Sequence, residues 1–113
     1  MRCLIMGDNT IDNYHLIVKE LNFLTDEDHV LTNGGTGAGR LIQRYCETNE
    51  IYCEVIKPDW DELGAMAGFK NNDDLFDLKP EYVFLFWNGE FVGTKDVFEK
   101  AQRAGIKTTI VWV

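Results

Sequence analysis

Five short apolar runs, separated by stretches of helical periodicity and closed by Gly, Asn or Pro, restrict this chain more than any other feature. Residues 2–6 form the first run, rich in β-type side chains, and Gly7-Asp8-Asn9 ends it. Residues 11–23 follow, with Ile11, Tyr14, Leu16, Ile17, Val18, Leu21 and Leu24 near helical spacing. A polar turn at residues 25–28 leads to a second strand over residues 29–32, stopped by Asn33-Gly34-Gly35-Thr36-Gly37. Residues 39–48 read as a helix with Leu41, Ile42, Tyr45 and Cys46 on its apolar face. Residues 51–56 form a third strand, ended by Pro58, which offers no ladder donor. Residues 59–68 hold a turn of helix at most, because Gly64 and Gly68 weaken it, and residues 69–78 read as a short polar helix. Residues 81–87 are the most apolar run, the pattern of a central strand covered on both faces. A loop over 88–92, a helix over 93–104 capped by Gly105, and a fifth strand over 108–113 complete the series.

The order is βαβαβαβαβ with short links. Such alternation predicts an α/β fold: a single Rossmann-like, doubly wound parallel sheet of about five strands with helices on both faces. At 113 residues, one domain accounts for the whole sequence, with no repeat or linker to divide it. A chain of this size buries about 65% of the surface its unfolded form exposes, enough for a core without staples.

In an open parallel sheet the strand-to-helix loops emerge at one edge, and ligands bind there near the reversal of strand order. Residues 33–39 carry the strongest local signal. Gly34, Gly35, Gly37 and Gly39 let the backbone approach a ligand, and the loop opens directly into a helix whose free N–H groups favour an anion. Thr36, Ala38 and the first-turn Arg40 complete this candidate phosphate loop, and a tight turn with glycines for packing is the alternative. It is neither a Walker A loop nor a GxGxxG fingerprint after the first strand. A second loop holds Asn88, Gly89, Gly93, Thr94, Lys95 and Asp96. Thr94 there can cap the helix or donate to a phosphate oxygen, Lys95 can reach a phosphate or stay in solvent, and Asp96 can accept from a ribose hydroxyl or simply favour the helix dipole. Gly7, Asp8 and Asn9 after the first strand either touch ligand or make an Asx turn. Asn71 and Asn72 either cap a helix or read a base or ribose. Trp60 and Trp87 read first as packing residues, with stacking on a base as the alternative.

Composition removes several function classes. Asp and Glu outnumber Lys and Arg by 19 to 11, a formal charge of −8, which disfavours a broad nucleic-acid or anionic-membrane face. A small anion held by backbone N–H groups and one or two cations remains compatible. Cys3, Cys46 and Cys53 form no CxxC pair and read as buried reduced thiols of a cytoplasmic protein. No signal peptide and no membrane-spanning apolar run is expected. His15 and His29 lie far apart without metal-ligand spacing, and no GxSxG elbow occurs, so no catalytic residue, metal or cofactor is assigned. The acidic cluster Asp59, Asp61 and Glu62 reads as a solvated loop before a divalent-cation site.

The motifs Met6-Gly7-Asp8-Asn9, Asn33-Gly34-Gly35-Thr36-Gly37-Ala38, Pro58-Asp59-Trp60, Ala67-Gly68 with Asn72, and Asn88-Gly89 with Gly93-Thr94-Lys95-Asp96 occur in that order, before a closing Ala101-Gln102-Arg103-Ala104-Gly105-Ile106-Lys107. In order and spacing the chain resembles the YspA-type, cpYpsA-related branch of the SLOG superfamily. That superfamily shares a Rossmann-like core with the LOG phosphoribohydrolases and the DprA nucleic-acid-binding domain. The resemblance covers nearly the whole chain. It implies a nucleotide-derived ligand between the two glycine loops, often in bacterial stress or phage-conflict settings, and makes a homodimer or higher homo-oligomer reasonable. The sequence departs from the family pattern at Asn9 and Asn71, where arginines are usual, and at Gly39, where an acidic residue closes the loop. LOG enzymes carry Pro-Gly-Gly-x-Gly-Thr followed by a catalytic Glu, against Asn88-Gly89-Glu90-Phe91-Val92-Gly93-Thr94 with Asp96 and Val97 here. These departures remove positive charge and the best catalytic acid.

Three readings follow. The first is a binding module for a nucleotide-derived small molecule: a sensor, carrier or sponge. The second is a LOG-like hydrolase of nucleoside-phosphate N-glycosidic bonds, with Asp96 or Asp8 as the carboxylate near the ribose. The third is a DprA-like nucleic-acid-binding or structural domain.

Overall fold

The computed structural model describes residues 1–35 and 37–113. Strands β1 (Arg2–Gly7), β2 (His29–Thr32), β3 (Tyr52–Val55), β4 (Tyr82–Trp87) and β5 (Lys107–Trp112) form one sheet in the order β3-β2-β1-β4-β5. Every pairing is parallel, with Leu4 opposite Leu31 and Val83, and Phe86 opposite Gly7 and Val111. Helices α1 (Tyr14–Glu20), α2 (Ala38–Thr48), α3 (Trp60–Leu63), α4 (Ala67–Asp77) and α5 (Val92–Ala104) fill the connections. The expected doubly wound α/β architecture is therefore the observed one.

The alternation of strand side chains divides the core into two layers. Cys3, Ile5, Val30, Phe84 and Phe86 meet Ile17 of α1, Leu21 just after it, and Ile42 and Cys46 of α2 on one face. Leu4, Met6, Leu31, Val83 and Leu85 meet Leu75 of α4 and Val97 and Ala101 of α5 on the other. β4 is buried from Val83 to Trp87, as a central strand between two helical layers must be. Cys3 is buried there, and desolvation pushes its thiol up to about 12, so it stays protonated. Cys46 is also buried and Cys53 is half-buried; all three are free thiols.

The boundaries differ from the sequence reading where local hydrogen bonding overrides periodicity. α1 starts at Tyr14 and not Ile11, because the Asn13 side chain accepts from the Leu16 amide and caps it. Its end at Glu20 leaves Phe23 outside. Between Pro58 and Phe69 the chain is more helical than expected. Asp59 accepts from the Glu62 amide and caps α3, a 3-10 turn covers Gly64–Met66, and α4 begins at Ala67. Gly68 thus lies inside a helix, and a Cβ placed there meets only Trp60 Cη2, at 3.5 Å. Gly68→Ala is expected to stabilise the protein by about 0.5–1 kcal/mol in chemical denaturation. α5 ends as expected, at Gly105 with φ 69° and ψ 27°. Among the described residues, no helix is long and apolar enough to cross a membrane.

Candidate functional site

The chain diverges at the carboxyl ends of β1 and β4, α1 leading outward to β2 and α5 outward to β5. A single carboxylate closes the gap between them. Asp8, only 1% exposed, accepts from Thr94 Oγ1 through Oδ1 at 2.9 Å and from the Asn88 amide through Oδ2 at 2.8 Å. Its own amide donates to Phe86 O at 3.0 Å, and its carbonyl accepts from the Ile11 and Ala38 amides. Asp8 therefore ties together the β1 and β4 loops and the starts of α2 and α5. Asn88 shapes its loop further, accepting at Oδ1 from the Glu90 and Phe91 amides in an Asx turn.

Beside this knot a cavity of about 500 Å³ opens at the carboxyl edge, within the size range of small-molecule sites. All four strand-to-helix loops reach it: Gly7 and Asn9 after β1, Asn33, Gly34 and Gly35 after β2, Lys57, Pro58 and Trp60 after β3, and Phe91 after β4. Its described lining contains one cation, Lys57, two side-chain amides and no carboxylate.

The glycines of the second loop divide by role. A Cβ on Gly39 would lie 2.4 Å from Gly34 O, and one on Gly37 would lie 2.3 Å from the Asn9 carbonyl. Those two positions, with Gly34 against Val55 Cγ1 at 2.7 Å and Gly7 against Ala38 and Phe86, are set by close packing against other parts of the chain. At Gly35 nothing lies within 4 Å of a Cβ position, and its backbone faces the open cavity.

Of the residues singled out from sequence, the cavity gathers Gly7, Asn9, Gly34 and Gly35. Gly37 and Arg40 border a separate depression of about 300 Å³, with Asp12 and Arg44. Ala38 is buried, its amide bonded to Asp8 O. Thr36 lies outside the described residues. Asn72 and Asp96 bond to each other: Asn72 Nδ2 donates to Asp96 Oδ2 at 3.0 Å and to Gly93 O at 3.3 Å. Lys100 adds an ion pair to Asp96 at 2.8 Å and one to Asp73 at 3.2 Å, bracing α4 against α5. Thr94 is committed to Asp8, Gly89 with φ 88° turns beneath Trp112, and Lys95 is exposed on α5. Trp87 is a packing residue, stacked on Trp112 with its Nε1 donating to Phe91 O. Trp60 is 58% exposed in the cavity wall. Asp59, Asp61 and Glu62 serve the first turn of α3, and no group of three or more His, Cys, Asp or Glu able to hold a metal occurs among the described residues.

Lys57 was not among the residues singled out, and Asn33 and Phe91 were named within their loops without a role. Lys57 carried a usable signal, as the cation immediately before the proline that ends a parallel strand. Comparisons of the chain with protein-family models, with curated proteins and with solved structures return no match.

Proposed function

We propose that this chain is a binding module for a nucleotide-derived small molecule, whose phosphate rests on the Gly34-Gly35 backbone within reach of Lys57. The observation that carries the reading is the chemistry of the cavity: the exposed Gly35 backbone, one lysine, two amides and no lining carboxylate among the described residues. An anion placed there meets donors and no fixed negative charge, although the protein as a whole carries a formal −8. The same chemistry favours binding over hydrolysis. Asp8 is enclosed and accepts two hydrogen bonds, and Asp96 is held by Lys100 and Asn72, so neither carboxylate lines the cavity. Kinship with the SLOG superfamily belongs to the same proposal, and its supporting fact is that the motifs at Gly7-Asp8-Asn9, Asn33-Gly34-Gly35, Pro58-Asp59 and Asn88-Gly89 fall on the carboxyl-edge loops. The acidic surface speaks against the nucleic-acid-binding reading.

The test is thermal unfolding against AMP, ADP, ADP-ribose, NAD, and cyclic mono- and dinucleotides. A ligand at a hundred times its Kd adds about 2.7 kcal/mol of stability. For a domain near this size each kcal/mol moves the midpoint by roughly 4–8 °C. At least one of these compounds is expected to raise the midpoint by ~10 °C or more and to be recovered unchanged. Lys57→Gln is expected to weaken that compound roughly ten-fold or more, since it removes a charge-assisted bond to phosphate. Equal affinity in the variant would remove Lys57 from the site.

A further inference from the structure

Trp60 and Phe91 line the phosphate cavity and also a second, contiguous cleft of about 200 Å³. The remaining walls of that cleft are Ala65, Gly68 and Phe69 of the α3–α4 region and Val92 and Gly93 at the start of α5. No lining side chain is charged, and none except the Trp60 indole N–H carries a hydrogen-bonding group. Trp60, Phe69 and Val92 are all exposed, an unusual concentration of apolar surface on a chain with 27% charged residues. Gly68 keeps the floor low: with no side chain there, the space beside Trp60 Cη2 stays open.

Resting on the binding reading above, we propose that this cleft is the ring subsite of the same ligand. The ligand is then an anion bearing a flat aromatic ring, with its phosphate at Gly34, Gly35 and Lys57 and its ring against Trp60 and Phe91. Aromatic walls hold a ring by its π-face, which every base possesses, and here almost nothing is placed to read a base by its polar edge. The site therefore selects ring-bearing phosphates over ring-free ones and discriminates weakly among bases.

The experiment is calorimetric titration of the full chain with AMP, GMP, UMP and ribose 5-phosphate, repeated in Trp60→Ala and Gly68→Leu. The second variant fills the cleft from a helical position whose Cβ is sterically tolerated. Circular dichroism and thermal unfolding check that both variants are folded. AMP is expected to bind roughly ten-fold or more tighter than ribose 5-phosphate, as stacking on one aromatic side chain implies. The purine nucleotides are expected within roughly five-fold of each other, and both variants are expected to bring AMP down to the level of ribose 5-phosphate. Equal binding of AMP and ribose 5-phosphate by the parent chain would overturn the ring subsite and leave the phosphate site standing. A preference for AMP that survives both substitutions would overturn its placement in this cleft. A strong preference for one purine would overturn recognition by face. Absence of binding by all four compounds would overturn the phosphate site and the ring subsite with it.

Discussion

Asp8→Ala is expected to be among the most damaging single substitutions in the chain, costing about 3–4 kcal/mol. Each hydrogen bond to a buried charged group contributes about 1.5–3 kcal/mol, and two are lost together. The Asn88 amide would then be stranded without its acceptor, and Thr94 Oγ1 without its partner. Against a total stability of about 5–15 kcal/mol this is a large fraction, and the midpoint is expected to fall by more than ~10 °C. Asp8→Asn keeps one acceptor oxygen for the Asn88 amide and offers an amide group to Thr94, so it is expected to cost about half as much. Urea unfolding of the two variants and the parent measures both effects. A loss under about 1 kcal/mol for Asp8→Ala would mean that the knot between the β1 and β4 loops contributes little.

Gly37→Ala is the second large effect. Gly37 has φ 68° and ψ −136°, a conformation almost restricted to glycine, and its Cβ would lie 2.3 Å from backbone atoms of Asn9. Backbone cannot yield as a flexible side chain does, so the β1 and β2 loops must separate. Strain and displacement together are expected to cost about 3 kcal/mol. Gly35→Ala isolates the conformational part, because φ there is 85° but nothing lies within 4 Å of the Cβ. Its expected cost is about 1–2 kcal/mol. In the cavity the order reverses: Gly35→Ala alters the surface on which phosphate rests, whereas Gly37 does not line it. Thermal unfolding with and without AMP separates the two roles. Equal destabilisation by the two substitutions would contradict the separation of Gly37, a packing position, from Gly35, whose surface is open to ligand.

The sheet was legible because its signals are local and redundant. Residues 82–87 are aromatic or aliphatic at every position, as a strand under two helical layers requires, and Gly105 caps α5 where expected. The region from Asp59 to Gly68 was not, since two glycines lowered its helical score while the Asp59 cap, which organises α3, is a contact only geometry reveals. The site was half legible. Glycines announce close approach without saying whether the neighbour is ligand or chain, and Gly37 and Gly39 approach chain. Arg40 was plausible from its place in the first turn of α2, but the helical phase turns it toward the depression beside Asp12 and Arg44. Asp8 and Asp96 look alike in sequence as candidate acids. Only the fold shows that one is enclosed by Thr94 and Asn88 and the other paired to Lys100. Lys57 was overlooked because a lone lysine at a strand end has no local pattern around it.

The central claim is that phosphate binds in the cavity between the β1, β2 and β3 loops. The most direct measurement is amide chemical-shift mapping of the isotopically labelled chain during titration with AMP. The account predicts saturable shifts centred on Asn9, Asn33, Gly34, Gly35 and Lys57, weakened in Lys57→Gln. Shifts centred instead on Arg40 and Arg44, or no saturable shift with any compound of the nucleotide panel, would contradict it.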